Sequence, residues 1–248
     1  MAASQIRLLT LVAILAAWEL VARSGLLYQE VVPSLLKIAA AFVRMLFEKD
    51  TWRHFGVTAW EVGAGLAAGY LLGLAFGLAA GTRRFFGAAV APYVDGVATA
   101  PKIVFLPIVM LLVGTGIGSK LALGALSAFF PVAINTAASV RQVDPVLVRV
   151  GRSFRLSRWQ MATRIYVPAL RPSLVTSLRL GFGLAVVGVL LAEIKLSNAG
   201  LGFLANEHYS NFRVADLYAV LVLIFVVAVG LNSLMSRFAE RRNQRICS

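Results

Sequence analysis

The stretch that decides the fold comprises residues 141–171, RQVDPVLVRVGRSFRLSRWQMATRIYVPALR. It holds seven arginines and one acidic residue, Asp144, and strongly apolar segments precede and follow it. Basic residues in short loops between membrane helices are retained on the cytoplasmic side of the bilayer. The stretch, here called the arginine loop, is therefore predicted to be cytoplasmic, and it orients the whole chain.

The composition predicts a lipid environment. Hydrophobic residues make up 59% of the 248 positions and the mean hydropathy is +0.81, whereas ordinary soluble domains contain roughly 45–50% apolar residues. The formal net charge of +13 would suit nucleic-acid binding, but the arginines lie beside apolar segments and no nucleic-acid-binding motif accompanies them. We therefore expect membrane lipids and a cytoplasmic protein as partners, and no nucleic acid.

Metal and catalytic chemistry have little support in the sequence. The single cysteine, Cys247, excludes an intrachain disulfide and a cysteine metal cluster. Both histidines, His54 and His208, fall in predicted outer loops, where we expect them to be solvated. No Gly-x-x-x-x-Gly-Lys-[Ser/Thr] loop and no Ser/His/Asp constellation is present. We predict a protein that is not an enzyme and has no metal site.

Six apolar segments satisfy or approach the ~20 residues that a helix needs to cross the hydrocarbon core. They comprise residues 6–22, 56–81, 88–113, 120–140, 173–194 and 214–238. The predicted fold class is thus an all-α integral membrane protein with six transmembrane helices. Because the arginine loop, residues 83–84 and residues 237–245 carry more than half of the basic side chains, both termini are predicted to be cytoplasmic.

The chain is predicted to have three parts. Residues 1–55 form an N-terminal transmembrane helix and an outer interfacial segment, in which an amphipathic helix begins at Pro33-Ser34 and reaches Phe47. Trp18 and Glu19 occupy the place of a signal cleavage site, so we expect the first helix to be retained. Residues 56–238 form a core of five transmembrane helices, and residues 239–248 form a basic cytoplasmic tail.

Small residues in the core segments predict close helix packing. The second span carries glycine at every fourth position, which places all of them on one face: Gly65, Gly69, Gly73, Gly77 and Gly81. Such a face lets another helix approach backbone to backbone, and the sequence leaves open whether that helix belongs to the same subunit or to a second copy. Glycines 114, 116 and 118 predict a tight turn, so that spans three and four form an antiparallel hairpin.

Ionisable residues inside the spans are candidates for a translocation path. Three prolines, at positions 92, 101 and 107, interrupt span three and predict kinks. Asp95 and Lys102 are seven residues apart, two turns along one face. They are predicted to line a polar path in which Lys102 attracts an anion; the alternatives are an internal ion pair or a lysine that snorkels to the membrane surface. Glu193, near the outer end of span five, is the third path candidate.

The arginine loop contains the pattern of two short amphipathic helices. The first runs from Asp144-Pro145 to Phe154, and the second from a capping Ser157 to Tyr166, with Pro168 ending it. Such helices dock into a groove on another protein. A solvated basic loop that faces lipid headgroups accounts for the same residues.

The loop resembles the cytoplasmic segment of bacterial ABC-transporter permeases. That segment reads Glu-Ala-Ala, three residues, Gly, nine residues, Ile, one residue, Leu-Pro; here the spacing is kept by Arg149-Val150-Gly151, Arg155, Ile165 and Val167-Pro168. Further pieces in the same order are Pro101-Lys102-Ile103, Phe129-Phe130-Pro131, Ala192-Glu193 and Gly200-Leu201-Gly202. Together they resemble the nitrate/sulfonate/taurine branch of binding-protein-dependent importers over residues 56–232.

This resemblance implies a type I importer permease (MetI-like) fold with coupling helices between spans four and five. It also implies a second permease copy, two cytoplasmic ATPase subunits that hold ATP and Mg²⁺, an extracytoplasmic solute-binding protein and a bacterial inner membrane. The implied solute is a small anion such as a sulfonate, taurine or nitrate, although related permeases carry pyrimidine vitamin precursors or aromatic acids. The residues implied in ATPase coupling are Arg149, Gly151, Arg152, Phe154, Arg155, Ile165 and Pro168.

Two residues depart from the family pattern. Arg149 replaces a glutamate, and Arg155 replaces the glycine at the turn between the helices. A left-handed backbone at Arg155 would cost on the order of 1 kcal/mol, and both changes toward arginine predict an acidic groove on the partner. An ATP-independent secondary transporter or channel, which the prolines of span three suggest, and a scaffold that assembles membrane proteins through the basic loop are the remaining alternatives.

Overall fold

The computed structural model describes residues 3–24 and 31–244, and every regular element in these ranges is helical. Cys247 and the last part of the predicted basic tail lie outside the described residues. The α-helices are α1 (Ala3–Arg23), α2 (Leu35–Phe47), α3 (Lys49–Thr82), α4 (Arg84–Thr99), α5 (Leu106–Val113), α6 (Ile117–Arg141), α7 (Pro145–Ser153), α8 (Arg158–Met161), α9 (Val167–Ala169), α10 (Arg171–Leu196), α11 (Leu201–Ser210) and α12 (Val214–Gln244). A 3₁₀ turn, Lys102–Phe105, precedes α5, and a π-helical turn, Ala162–Tyr166, separates α8 from α9.

Within the described ranges, five helices are long and apolar enough to cross a membrane: α1, α3, α6, α10 and α12. The pair α4 and α5 would make a sixth span, but its two limbs meet at 98°. The chain is therefore a multi-pass membrane protein with five or six candidate spans. The third predicted span is a broken one rather than a single kinked helix.

The break occurs at Ala100, just before Pro101. Ala100 has an extended backbone (φ −65°, ψ 139°), because the ring of a proline disfavours the helical conformation of the residue before it. Pro92 is accommodated inside α4, and Pro107 lies in the first turn of α5, where no amide donor is required. The prediction that Asp95 and Lys102 lie two turns apart on one helical face is wrong, since α4 ends between them.

The centre of the fold is the contact of α3 with α6. Five of the glycines of α3, here called the glycine seam, face α6 of the same chain: Gly65, Gly69, Gly73, Gly77 and Gly81. A β-carbon at Gly73 would stand 2.8 Å from the Phe129 carbonyl oxygen, and one at Gly77 would stand 2.6 Å from that of Ala133. Only glycine permits this approach of two backbones, and α10 packs on the same two helices through Phe182, Ala185 and Val189.

A second apolar cluster joins α2, α11 and α12. It comprises Ala41, Met45, Leu201, Leu204, Ala205, Ala219, Val220 and Leu223. The amphipathic helix predicted over residues 34–47 is α2, which Ser34 caps by accepting a bond from the Lys37 amide. Helix α11, which was not predicted from the sequence, fills the space between α10 and α12 at the face opposite the arginine loop.

Helix α1 stands apart from this body. Its apolar side chains are exposed along most of its length, and its contacts with the rest are concentrated near Trp18. The Trp18 indole donates to the Pro33 carbonyl at 3.2 Å and meets the Tyr218 ring edge to face. Glu19 accepts the Leu35 amide at 2.9 Å, so α1 is fixed to the start of α2.

Candidate functional sites: the arginine loop and the broken span

The first helix of the arginine loop, α7, begins where the sequence predicts. The Asp144 carboxylate accepts the Val146 amide at 2.7 Å, and Pro145 occupies the first turn, so the cap and the proline both favour helix at this position. Gly151 is the buried residue of α7, and a β-carbon there would lie 2.5 Å from the sulfur of Met161. Gly151 thus lets the two short helices of the loop pack on one another.

The turn after α7 is a Schellman motif with an arginine at the position that glycine usually holds. The Leu156 amide donates to the Gly151 carbonyl at 3.1 Å, and the Arg155 amide donates to the Arg152 carbonyl at 2.9 Å. This pair of bonds requires a left-handed residue between the helices, and Arg155 has φ +49°. Arg155 therefore has the left-handed backbone that the family pattern led us to consider, although it is not a glycine.

The second helix starts with a reciprocal cap. The Ser157 hydroxyl accepts the Gln160 amide at 3.3 Å, while the Gln160 side chain accepts the Ser157 amide at 2.9 Å. This capping box satisfies two otherwise free amide donors. Ser157 is thus the cap that the sequence predicts.

Pro168 does not end the second helix, contrary to the prediction. After α8 the chain widens into the π-helical turn 162–166, continues through α9 and enters α10 at Arg171. Proline removes an amide donor and clashes with the carbonyl four residues earlier, and a wider turn provides space for its ring. The loop is consequently connected to α10 by a nearly continuous helix.

The outer surface of the loop is basic and aromatic. Arg149, Arg152 and Arg155 are exposed, and within the described part of the chain none forms an ion pair with a carboxylate. Phe154 and Trp159 are each 76% exposed. Ile165 is half-buried and lies toward Gly151, so it supports the loop from inside.

Lys102 holds the ends of the broken span together. Its ammonium group donates to the carbonyl oxygens of Val97, Ala98 and Ala100 at 3.0, 2.7 and 2.8 Å, and it lies 5.1 Å from the centroid of the Phe130 ring. A lysine has three N–H donors, so all of them are engaged. The lysine thereby satisfies the carbonyls of Ala98 and Ala100 at the break and adds a second donor to that of Val97, which also accepts the Ala100 amide.

Beside Lys102 lies an open cavity of about 470 Å³ between the broken span, α6 and α10. Its lining is mostly apolar, with Phe130, Pro131, Leu184 and Val187 among the contributors. Asp95 is exposed and borders a different cavity, next to Arg141. The structure therefore does not bring Asp95 and Lys102 into one polar cluster.

Glu193, the third path candidate, is fully buried and caps α11. Its carboxyl group accepts the Thr58 hydroxyl and the Gly202 amide, each at 2.7 Å. Thr58 in turn accepts the Leu201 amide at 2.7 Å, and His54 Nδ1 accepts the Gly200 amide at 2.9 Å. Three consecutive amides at the start of α11 thus meet three side chains from α3 and α10.

The histidines are not solvated, contrary to the prediction. His54 is 2% exposed and His208 is 7% exposed. His54 is covered by α11, where it stacks on Phe203, and His208 is itself one of the buried residues of α11. Glu61 and Lys120, which were not among the predicted site residues, form an ion pair of 2.5 Å with almost no exposed surface. An acid inside an apolar span is the signal that could have identified Glu61.

Comparison with known proteins supplies the family. Residues 69–246 match the family described as "Binding-protein-dependent transport system inner membrane component". The chain belongs to this family. The permease is 28% identical over 229 residues to the putative aliphatic sulfonates transport permease protein SsuC of Bacillus subtilis. The aligned region covers 92% of the permease and 83% of SsuC.

Two further relatives have names from the same group. The taurine transport system permease protein TauC of Escherichia coli is 28% identical over 239 residues, covering 92% of the permease and 86% of TauC. The nitrate import permease protein NrtB of Synechocystis is 30% identical over 178 residues, covering 72% of the permease and 63% of NrtB. Members of the family are transport components rather than enzymes, and they work with a separate ATPase and a solute-binding protein. The match gives no support to the ATP-independent transporter, channel or scaffold.

Proposed function

We propose that this permease forms half of the membrane pathway of an ATP-driven importer and that the arginine loop couples it to the ATPase. The observation that carries the proposal is the connection of an exposed, unpaired basic loop to α10 by a nearly continuous helix. A displacement of the loop would move α10, which lines the cavity beside Lys102. The loop side would then face the cytoplasm of a bacterium, with both termini on that side of the inner membrane.

The proposed assembly contains two identical permease copies, two ATPase subunits that bind ATP and Mg²⁺, and one solute-binding protein. Arg149 and Arg152 would meet acids in the ATPase groove, with Phe154 and Trp159 as apolar anchors, since buried aromatic residues dominate the energies of such contacts. Gly151, Arg155, Ile165 and Pro168 would act within the loop by fixing its shape. Membrane lipids would contact the exposed apolar surfaces of the spans.

The proposed solute is a small anion of the sulfonate, taurine or nitrate class, in keeping with the names of the relatives. A pyrimidine precursor, as in the formylaminopyrimidine transport permease protein ThiX, is the second candidate. Because the donors of Lys102 are bonded to carbonyls, the lysine would give the path a positive potential and would not coordinate the anion directly. Selection of the solute would rest with the binding protein.

Charge reversal tests the coupling. We expect Arg149→Glu combined with Arg152→Glu to abolish co-purification of the ATPase, because two cations facing acids become two repelling anions. The matched control is Arg53→Glu, an exposed arginine at the opposite end of α3, which should leave assembly intact. Unchanged recovery of the ATPase with the double variant would refute the proposed coupling surface.

Labelling tests the orientation. In a Cys247→Ser background, a cysteine at Phe154 should react with a membrane-impermeant maleimide only in inverted vesicles, whereas one at Phe212, which is 80% exposed on the opposite side, should react only in intact cells. The reverse pattern would overturn the proposed topology and leave the fold unaffected.

Transport measurements test the role of Lys102. Lys102→Met should lower the maximal uptake rate and leave the apparent affinity nearly unchanged, because the lysine fixes the broken span. Unimpaired uptake and affinity would remove Lys102 from the pathway. A large loss of affinity would mean that the ammonium group binds the solute itself.

A further inference from the structure

Two acidic side chains and one basic side chain are enclosed together where α3, α6 and α10 meet. Glu61 and Glu193 are both 0% exposed. Thr58, about one turn before Glu61 on α3, donates to the Glu193 carboxyl group, so the two acids lie on the facing sides of α3 and α10. Lys120 pairs with Glu61 and also donates to the Ser197 hydroxyl at 2.9 Å. With both acids ionised, this cluster would carry one uncompensated negative charge.

The hydrogen bonds of the cluster are one donor short. Both oxygens of Glu193 already accept, from Thr58 and from Gly202. The Oε1 atom of Glu61 lies against Lys120, but among the described residues no N–H or O–H donates to its Oε2. A buried carboxylate oxygen without a donor is costly, and two facing carboxylates repel each other strongly in an apolar interior.

No other charged group of the described residues compensates this pair. His54 accepts the Gly200 amide at Nδ1, so that nitrogen carries no proton, and its Nε2 faces Asp50 at 3.2 Å. Lys195, on the same helix as Glu193, is exposed. Lys120 is therefore the one described cation in contact with the pair.

We propose that Glu61 and Glu193 hold a single proton between them and that this proton fastens the start of α11 to α3 and α10. The proton supplies the missing donor, removes the excess charge and leaves the two acceptor roles of Glu193 intact. The ligand of the site is thus a proton, and the sequence element that depends on it is the 197–202 connection, which Lys120, Glu193 and Thr58 hold. This inference is independent of the transported solute and of the ATPase.

Infrared spectroscopy of the full-length protein in detergent tests the site directly. At about pH 7.5 exposed carboxyl groups are ionised, so a band from a protonated carboxyl group, identified by its shift in deuterium oxide, should come from this pair. We expect the band to be lost in Glu61→Gln and in Glu193→Gln. It should persist in the matched control Glu207→Gln, since Glu207 is an exposed acid of α11.

The pH dependence of unfolding provides a second readout. If the folded chain holds one more proton than the unfolded chain, its folding equilibrium constant should fall by up to about tenfold per pH unit as the pH rises toward the release of that proton. Glu61→Gln places an amide donor where the proton would be, so this decline should disappear. Glu207→Gln should keep it.

Three outcomes would overturn the proposal. The wild-type protein could lack the band at about pH 7.5, which would mean that both acids are ionised and that water supplies the missing donor. The band could survive both single substitutions, which would assign it to another carboxyl group. The wild type and Glu61→Gln could show the same pH dependence of unfolding, which would exclude a proton held by the pair.

Discussion

Arg155 offers a sharp test of the coupling loop, because its left-handed backbone is independent of its charge. With φ +49°, an L-residue carries a steric cost of about 1–2 kcal/mol that glycine avoids. Arg155→Gly removes this strain. Glycine also gives the unfolded chain more conformational entropy than alanine does, which lowers the free energy of unfolding by about 0.4–1 kcal/mol. Arg155→Ala removes the same charge and keeps the strain. We therefore expect the glycine variant to hold the turn more tightly than the alanine variant by about 0.5–1 kcal/mol.

Hydrogen exchange of the Leu156 amide measures this difference. That amide donates to the Gly151 carbonyl across the turn, so it exchanges when the turn opens locally. A difference of 0.5–1 kcal/mol corresponds to about twofold to fivefold slower exchange in Arg155→Gly than in Arg155→Ala. Equal exchange rates in the two variants would refute the left-handed backbone at Arg155 in solution.

Other positions give shorter tests. Gly77→Ala should destabilise the protein in detergent by about 1–3 kcal/mol through overpacking, because the new β-carbon would stand 2.6 Å from the Ala133 carbonyl oxygen. The control Gly63→Ala, where a β-carbon would meet nothing within 4 Å, should be neutral or stabilising. Burial lowers the pKa of His208 below its ordinary 6.5, an effect that Arg213 reinforces and neighbouring acids oppose. The neutral form of His208 therefore stabilises the fold above pH 6.5, and this contribution to stability is lost as the pH falls below that value. In thermal unfolding, His208→Asn should consequently lose less stability on acidification than the wild type does. Asp144→Ala should weaken the start of α7 by about 1 kcal/mol, visible as faster exchange of the Val146 amide.

The features that sequence reasoning identified are those determined locally. Long apolar segments mark the membrane helices, and the short polar cap at Ser157 marks the start of a helix whatever lies nearby. The turn at Arg155 was anticipated through the family pattern, which has glycine at that position, and the hydrogen bonds that form it join residues only a few positions apart. These features depend on neighbours within a few positions of the chain.

The features that sequence reasoning missed depend on contacts between distant segments. Nothing near Glu61 indicates that Glu193, on another helix, faces it, and the burial of His54 requires α11, which a short and only moderately apolar stretch does not reveal. Pro168 was expected to end a helix, but a widened turn accommodates it. Pro101 was expected to kink its span, but the extended Ala100 breaks it completely.

The glycine seam has a mechanical consequence. Because no atom larger than hydrogen fits between α3 and α6 at Gly69, Gly73, Gly77 and Gly81, neither helix can slide or roll against the other without bringing bulkier surfaces into collision. The two helices should therefore travel as one stiff body. Whatever rearrangement opens and closes a passage must be absorbed elsewhere, at the right-angled joint between α4 and α5 and along the helix that leads from the arginine loop.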